Sequence, residues 1–166
     1  MNNNPLKLKL IELVWATMAL AAASVVVFVG NQVLDVSMDI FYGVSTFNPR
    51  WITNLFLVPF IAGIVVSLIY GLGGKIIAHL APLPVMLFNY LTLDKALLPE
   101  GVVQLPIYYW LLVVIVAMEF AGIGGVIGEV MIKKTYGRRP REIIHVRYQR
   151  GIKERLGGQA GQANAD

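Results

Sequence analysis

Four ionisable side chains stand inside or at the edge of long apolar runs: Glu12, His79, Glu119 and Glu129, with the amide of Asn89 near them. Charged groups are costly in hydrocarbon, so an acid there raises a functional question by default. Glu119 is the sharpest case. It can carry a proton or cation, or it can hydrogen-bond a neighbouring helix or subunit. On a helix at about 100° per residue, Glu119, Gly122, Gly125 and Glu129 fall within one sector of about 120°. That face would bring another helix close to two carboxylates, with Ser67, Tyr70 and Asn89 as candidate partners. Glu12 and Glu129 lie near span ends, where a structural role or a reach to the interface is expected. His79 could ligate haem or metal or serve a quinone, but a stable metal site needs several ligands and no second one stands nearby. No metal or cofactor is therefore expected. His145 belongs to a basic tail and is expected to be solvated.

Catalysis by the chain alone is not expected. No Ser–His–Asp arrangement, phosphate loop or paired acids with a substrate pocket is present. With no cysteine in 166 residues, thiol catalysis, disulfides and Cys-type zinc sites are excluded.

The elements that must position these groups are membrane helices. Hydrophobic residues make up 57% of the chain and charged residues 14%, against about 25% charged in soluble proteins. The mean hydropathy is +0.65. A soluble domain of this size could not hide so much apolar surface. Crossing a hydrocarbon core takes about 20 apolar residues. Four stretches meet or approach that, at about 10–33, 51–72, 76–93 and 105–132. The first outruns the h-region of a cleavable signal peptide and is expected to be retained. The third carries Pro82 and Pro84, which allow a kink or a re-entrant turn.

Of the 14 basic residues, 12 fall on one side of these spans: Lys7, Lys9, Lys75 and the nine from Lys133 to Arg155. Arg50 and Lys95 occupy the other side, beside Asp35, Asp39, Asp94 and Glu100. The positive-inside bias then predicts an even number of spans and both termini in the cytoplasm. The expected fold is an all-α integral membrane protein, a four-transmembrane-helix bundle in a cell inner (plasma) membrane. A re-entrant third stretch would put the basic tail on the wrong side.

Small residues recur at helical spacing: Ala16, Ala19, Ala23 and Gly30 in the first stretch, Gly63, Ser67, Gly71 and Gly74 in and after the second, and Gly122, Gly125 and Gly128 in the fourth. Small residues let membrane helices approach closely. Spans two and four both end in glycines followed by lysine, a faint sign of two-helix duplication.

Residues 133–156 form a basic juxtamembrane segment. Ile144, Tyr148 and Ile152 recur every four residues among Arg138, Arg139, Arg141, Arg147, Arg150, Lys153 and Arg155. Such an amphipathic stretch suits anionic headgroups or a cytoplasmic partner. Membrane orientation already accounts for these charges, so nucleic acid is not expected. Residues 157–166 read as a flexible tail. The expected function is a non-catalytic accessory subunit of an inner-membrane complex, packing on other membrane subunits or on itself through its small-residue faces. The alternative is a small oligomeric channel or transporter that uses Glu119.

Overall fold

A computed structural model describes residues 5–136, which are mostly helical. The order is α1 (Pro5–Leu34), β1 (Ile40–Phe41), a 3-10 turn (Gly43–Phe47), α2 (Pro49–Tyr70), α3 (Gly74–Ala78), α4 (Leu83–Thr92), a second 3-10 turn (Lys95–Leu97), β2 (Val103–Gln104) and α5 (Ile107–Tyr136). Three helices are long and apolar enough to cross a membrane, over Leu10–Leu34, Pro49–Tyr70 and Ile107–Lys134. The basic segment, from residue 137 onward, and with it the expected headgroup contacts of Arg138 to Arg155, lies outside the described residues.

Local chemistry sets the helix ends. Asn48 caps α2, its Oδ1 accepting the Trp51 N–H at 2.9 Å, and Pro49 fits the first turn, where no N–H is needed. At the far end Gly71 takes φ 88° and donates to the Ser67 carbonyl at 2.8 Å. Gly73, at φ 94°, completes the reversal into α3. Side chains avoid this left-handed region, so glycine is needed at both positions.

The stretch 76–93, expected as one helix, is divided. Residues His79–Pro82 join α3 to α4 through short i→i+3 bonds, Leu80 N–H to Ile77 and Ala81 N–H to Ala78, both at 3.0 Å. Pro82 has no N–H with which to continue an α-helix. Its carbonyl instead starts α4 by accepting from Met86 at 3.0 Å. Together α3 and α4 run antiparallel along α5. Lys75 and Ala78 lie against Gly125, the His79 ring covers Gly122, and the Tyr90 ring meets Trp110 at 4.6 Å.

Helix α2 packs between α1 and α5. A methyl group placed on Gly63 would land on the Ala121 carbonyl, and one on Gly124 would land on the Phe60 carbonyl. Backbone therefore meets backbone across α2 and α5. Gly128 faces Ser67, and the buried Ser67 hydroxyl donates to the Gly125 carbonyl at 2.7 Å. In α1, Ala19 and Ala23 are fully buried and Gly30 sits against Val58. Ala16 is half-buried. One core cluster gathers α1, α2 and α3–α4 around Ala23, Ala62, Val66 and Ala78. A second, richer in large side chains, gathers Trp51, Leu55, Met86, Trp110 and Val114 at the end that holds the two long loops.

Candidate functional site

The acidic residues of the sequence divide into three environments. Glu129 is buried, at the end of the bundle where α1 starts and α5 finishes. Its Oε1 accepts the Gly73 N–H at 2.7 Å and the Lys75 N–H at 3.2 Å, closing the glycine turn between α2 and α3 onto α5. The first turn of a helix leaves such N–H groups without partners, and a carboxylate satisfies them.

Glu119 is exposed on α5 near the middle of its apolar stretch. It belongs to an outward stripe with Leu112, Ile115, Ile123, Val126 and Val130. Among the described residues it makes no hydrogen bond or ion pair. The expected shared face with Glu129 does not form. Ten residues turn a helix through about 280°, which leaves the two acids about 80° apart. That is enough to bury one and expose the other. Ser67, a possible partner for Glu119, is instead bonded to Gly125.

His79 stands beside this stripe. Its Nδ1 contacts the Lys75 carbonyl at 2.8 Å, and a carbonyl only accepts, so Nδ1 carries the proton in that bond. Nε2 lies over Gly122, one turn from Glu119. Glu12 is exposed on α1. Among the described residues no group of three His, Cys, Asp or Glu side chains could hold a metal.

The third environment, at the loop end, was not singled out by residue spacing. Asp35, at φ 52°, ends α1 and turns the chain back. Asp39 is then drawn inward, with 1% of its surface exposed. Its Oδ1 accepts the Trp110 indole N–H at 3.0 Å, Oδ2 accepts the Ser37 hydroxyl at 3.4 Å, and its carbonyl accepts the Leu105 N–H at 2.8 Å. Antiparallel pairing of Ile40 with Gln104 and of Phe41 with Val103 ties the two loops together. Burial pushes the Asp39 carboxyl up to about 6, against the lowering effect of the Trp110 and Ser37 hydrogen bonds.

Asp39 lines an open polar vestibule of about 610 Å³ with Asn31, Asp35, Asn89 and Asp94. This places Asn89, a candidate from the sequence, at the loop end and not beside Glu119. Below the vestibule Asn54 donates to Asn31 Oδ1 at 2.8 Å, while Asn54 Oδ1 is buried without a partner among the described residues. A void of about 10 Å³, room for one water, adjoins these amides and Pro59. The sequence did carry a signal for the amide pair. Asn31 and Asn54 each lie a few residues inside the loop-side end of an apolar span, and an antiparallel hairpin brings such positions level.

Comparison with protein family models, curated proteins and solved structures finds no match to this chain.

Proposed function

We propose that the protein is a non-catalytic subunit of a membrane assembly and meets a transmembrane helix of another subunit along the outward stripe of α5. The observation that carries this reading is Glu119, exposed at mid-span among Ile115, Ile123 and Val126 and without a partner among the described residues. A charged side chain at that depth costs about 3 kcal/mol against lipid. A helix presenting a hydrogen-bond donor or a cation removes the cost. A second copy placed symmetrically on this stripe would oppose one carboxylate with another, which favours a different chain as partner. Compared with the expectation from sequence, the contact moves from the small-residue faces to the apolar side of α5, because the glycines of α5 are occupied by α2 and α3.

In this reading the chain crosses the membrane four times, with both ends on the cytoplasmic side of an inner membrane. The support for the fourth crossing is the course of α3–α4 along α5, from the level of Glu129 to that of Trp110. That stretch of α5 covers about 29 Å at about 1.5 Å per residue, close to the hydrocarbon thickness. The support for orientation is the 12 of 14 basic residues on one side. The basic residues after α5 then meet anionic headgroups.

The test places a photo-crosslinking residue at Ile115 or Ile123, with Leu68 on the exposed side of α2 as control. A single adduct with one other membrane protein is expected from the α5 positions, reduced by Glu119→Leu and largely retained by Glu119→Gln. A stable monomer in mild detergent with no adduct, or an adduct of the chain with itself, rejects the reading. Ion flux in proteoliposomes that Glu119→Gln abolishes would replace it with the channel alternative.

A further inference from the structure

Glu119 shares its side of α5 with a second polar group. Glycine at position 122 leaves room for the His79 ring, and any side chain there would meet the imidazole. His79 Nε2 stands close to where that side chain would begin. Residues three apart on a helix carry their Cβ atoms about 5–6 Å apart, so Nε2 is within a side chain's length of Glu119. Both positions fall in the apolar span Ile107–Lys134, at membrane depth.

The state of each group follows from its contacts. His79 is half-buried. Among the described residues its Nε2 has no partner, and the buried side-chain atoms without partners are Trp51 Nε1 and Asn54 Oδ1 alone. Nε2 therefore reaches the surface, beside the exposed Glu119. Nδ1 donates to the Lys75 carbonyl at 2.8 Å, so the neutral ring presents Nε2 as an acceptor. The stripe thus offers two acceptors and one negative charge, about one helical turn apart, among exposed Ile115, Ile123 and Leu80.

That arrangement defines the group that completes it. A hydroxyl or amide donor would leave the carboxylate charge in hydrocarbon. A basic side chain neutralises the charge and supplies donors to both acceptors. A guanidinium carries five N–H donors in a planar fork, which suits two neighbouring acceptors better than the point charge of an ammonium. Lys75 does not serve. It starts at the level of Gly125, about 9 Å along α5 from Glu119, and makes no ion pair with it.

We propose that Glu119 and His79 Nε2 together bind an arginine carried at mid-membrane by a helix of the other subunit. This rests on the α5 contact proposed above and narrows its chemistry.

The experiment reconstitutes the full-length protein in phosphatidylcholine vesicles with synthetic polyleucine transmembrane helices whose central residue is arginine, glutamine, glutamate or leucine. Association is read by energy transfer between labelled protein and labelled helix. The arginine helix should associate about tenfold more tightly than the glutamine helix, and the leucine and glutamate helices more weakly still. Glu119→Leu should abolish the preference for arginine. Glu119→Gln keeps an acceptor, so it should keep the contact but lose the preference. His79→Leu should weaken the arginine helix about threefold and leave the leucine helix unchanged. The proposal is overturned if the arginine helix binds no more tightly than the glutamine helix, if the preference survives Glu119→Leu, or if His79→Leu binds as the wild type does. Self-association in place of peptide binding also overturns it and assigns the face to a second copy. Should His79→Leu fail to fold, the Glu119 variants, on the exposed face, decide. An adduct at Ile123 without an arginine preference leaves the α5 contact standing and removes only the arginine, whereas a missing adduct removes both.

Discussion

The two ends of the bundle each use a buried carboxylate to fasten a loop to α5, and they do so in opposite ways. At one end Glu129 reaches out from α5 and takes two backbone N–H groups of the α2–α3 turn. Glycines there let backbones touch, and Ser67 completes the seal through Gly125. At the other end Asp39 comes from the loop and takes an indole N–H of α5. Large side chains, Trp51, Met86 and Trp110, fill that half, and two sizeable cavities lie at the same end. Both buried polar atoms that lack a partner among the described residues, Trp51 Nε1 and Asn54 Oδ1, are in the loop-end half of α2. Small residues close a membrane bundle, whereas large aromatic ones prop it open.

The strongest way to break this contrast is to add one methyl group at the closed side. Gly124→Ala forces α2 and α5 apart, because the new carbon meets the Phe60 backbone and no side chain can yield. We expect a loss of about 3 kcal/mol, the upper part of the range for overpacking. Thermal unfolding in detergent measures it against Ile123→Ala, the exposed neighbour. Equal effects would mean that this side is not closely packed.

A smaller loss is expected at Glu129. Glu129→Leu strands the Gly73 and Lys75 N–H groups and should cost about 2 kcal/mol, with Glu129→Gln near half of that because an acceptor remains. Amide exchange at Gly73 and Lys75 reports the change directly. Unaltered protection in Glu129→Leu would show that the carboxylate does not hold the turn.

The smallest effect belongs to Asp39 and depends on pH. Its carboxyl is raised from 3.8 to about 6, so between those values the folded state keeps a proton that the unfolded state has released. Stability therefore falls as pH rises from about 4 to about 6 and levels off above. The open vestibule that Asp39 lines with Asp35 and Asp94 keeps the expected effect to the order of 1 kcal/mol. The difference in unfolding temperature between wild type and Asp39→Asn should narrow toward low pH. A constant difference from pH 4 to 7 would place Asp39 in a more polar setting than its burial implies.

How much of this was legible varies element by element. The first, second and fourth apolar stretches correspond to α1, α2 and α5, since about 20 consecutive apolar residues leave little choice of structure. Pro82 and Pro84 announced trouble in the third, but the site of the break, His79–Pro82, depends on how that segment lies along α5. Asn48 and Pro49 start α2 two residues ahead of the expected Trp51, in the usual manner of helix caps. Asp39, in contrast, reads as one more acid in a polar loop. Nothing near it in sequence predicts burial, because the indole that binds it is 71 positions away.

Sequence alone determined that this chain belongs in a membrane, where its apolar spans lie and that an acid stands at the middle of one of them. These follow from hydropathy and length, properties summed along the chain. The tertiary structure decided which way each acid faces: Glu129 inward onto a turn, Glu119 outward from the bundle, Asp39 against a tryptophan. Facing depends on which neighbours claim the rest of a helix. The glycines of α5 are claimed by α2 and α3, and that choice leaves Glu119 on the free side.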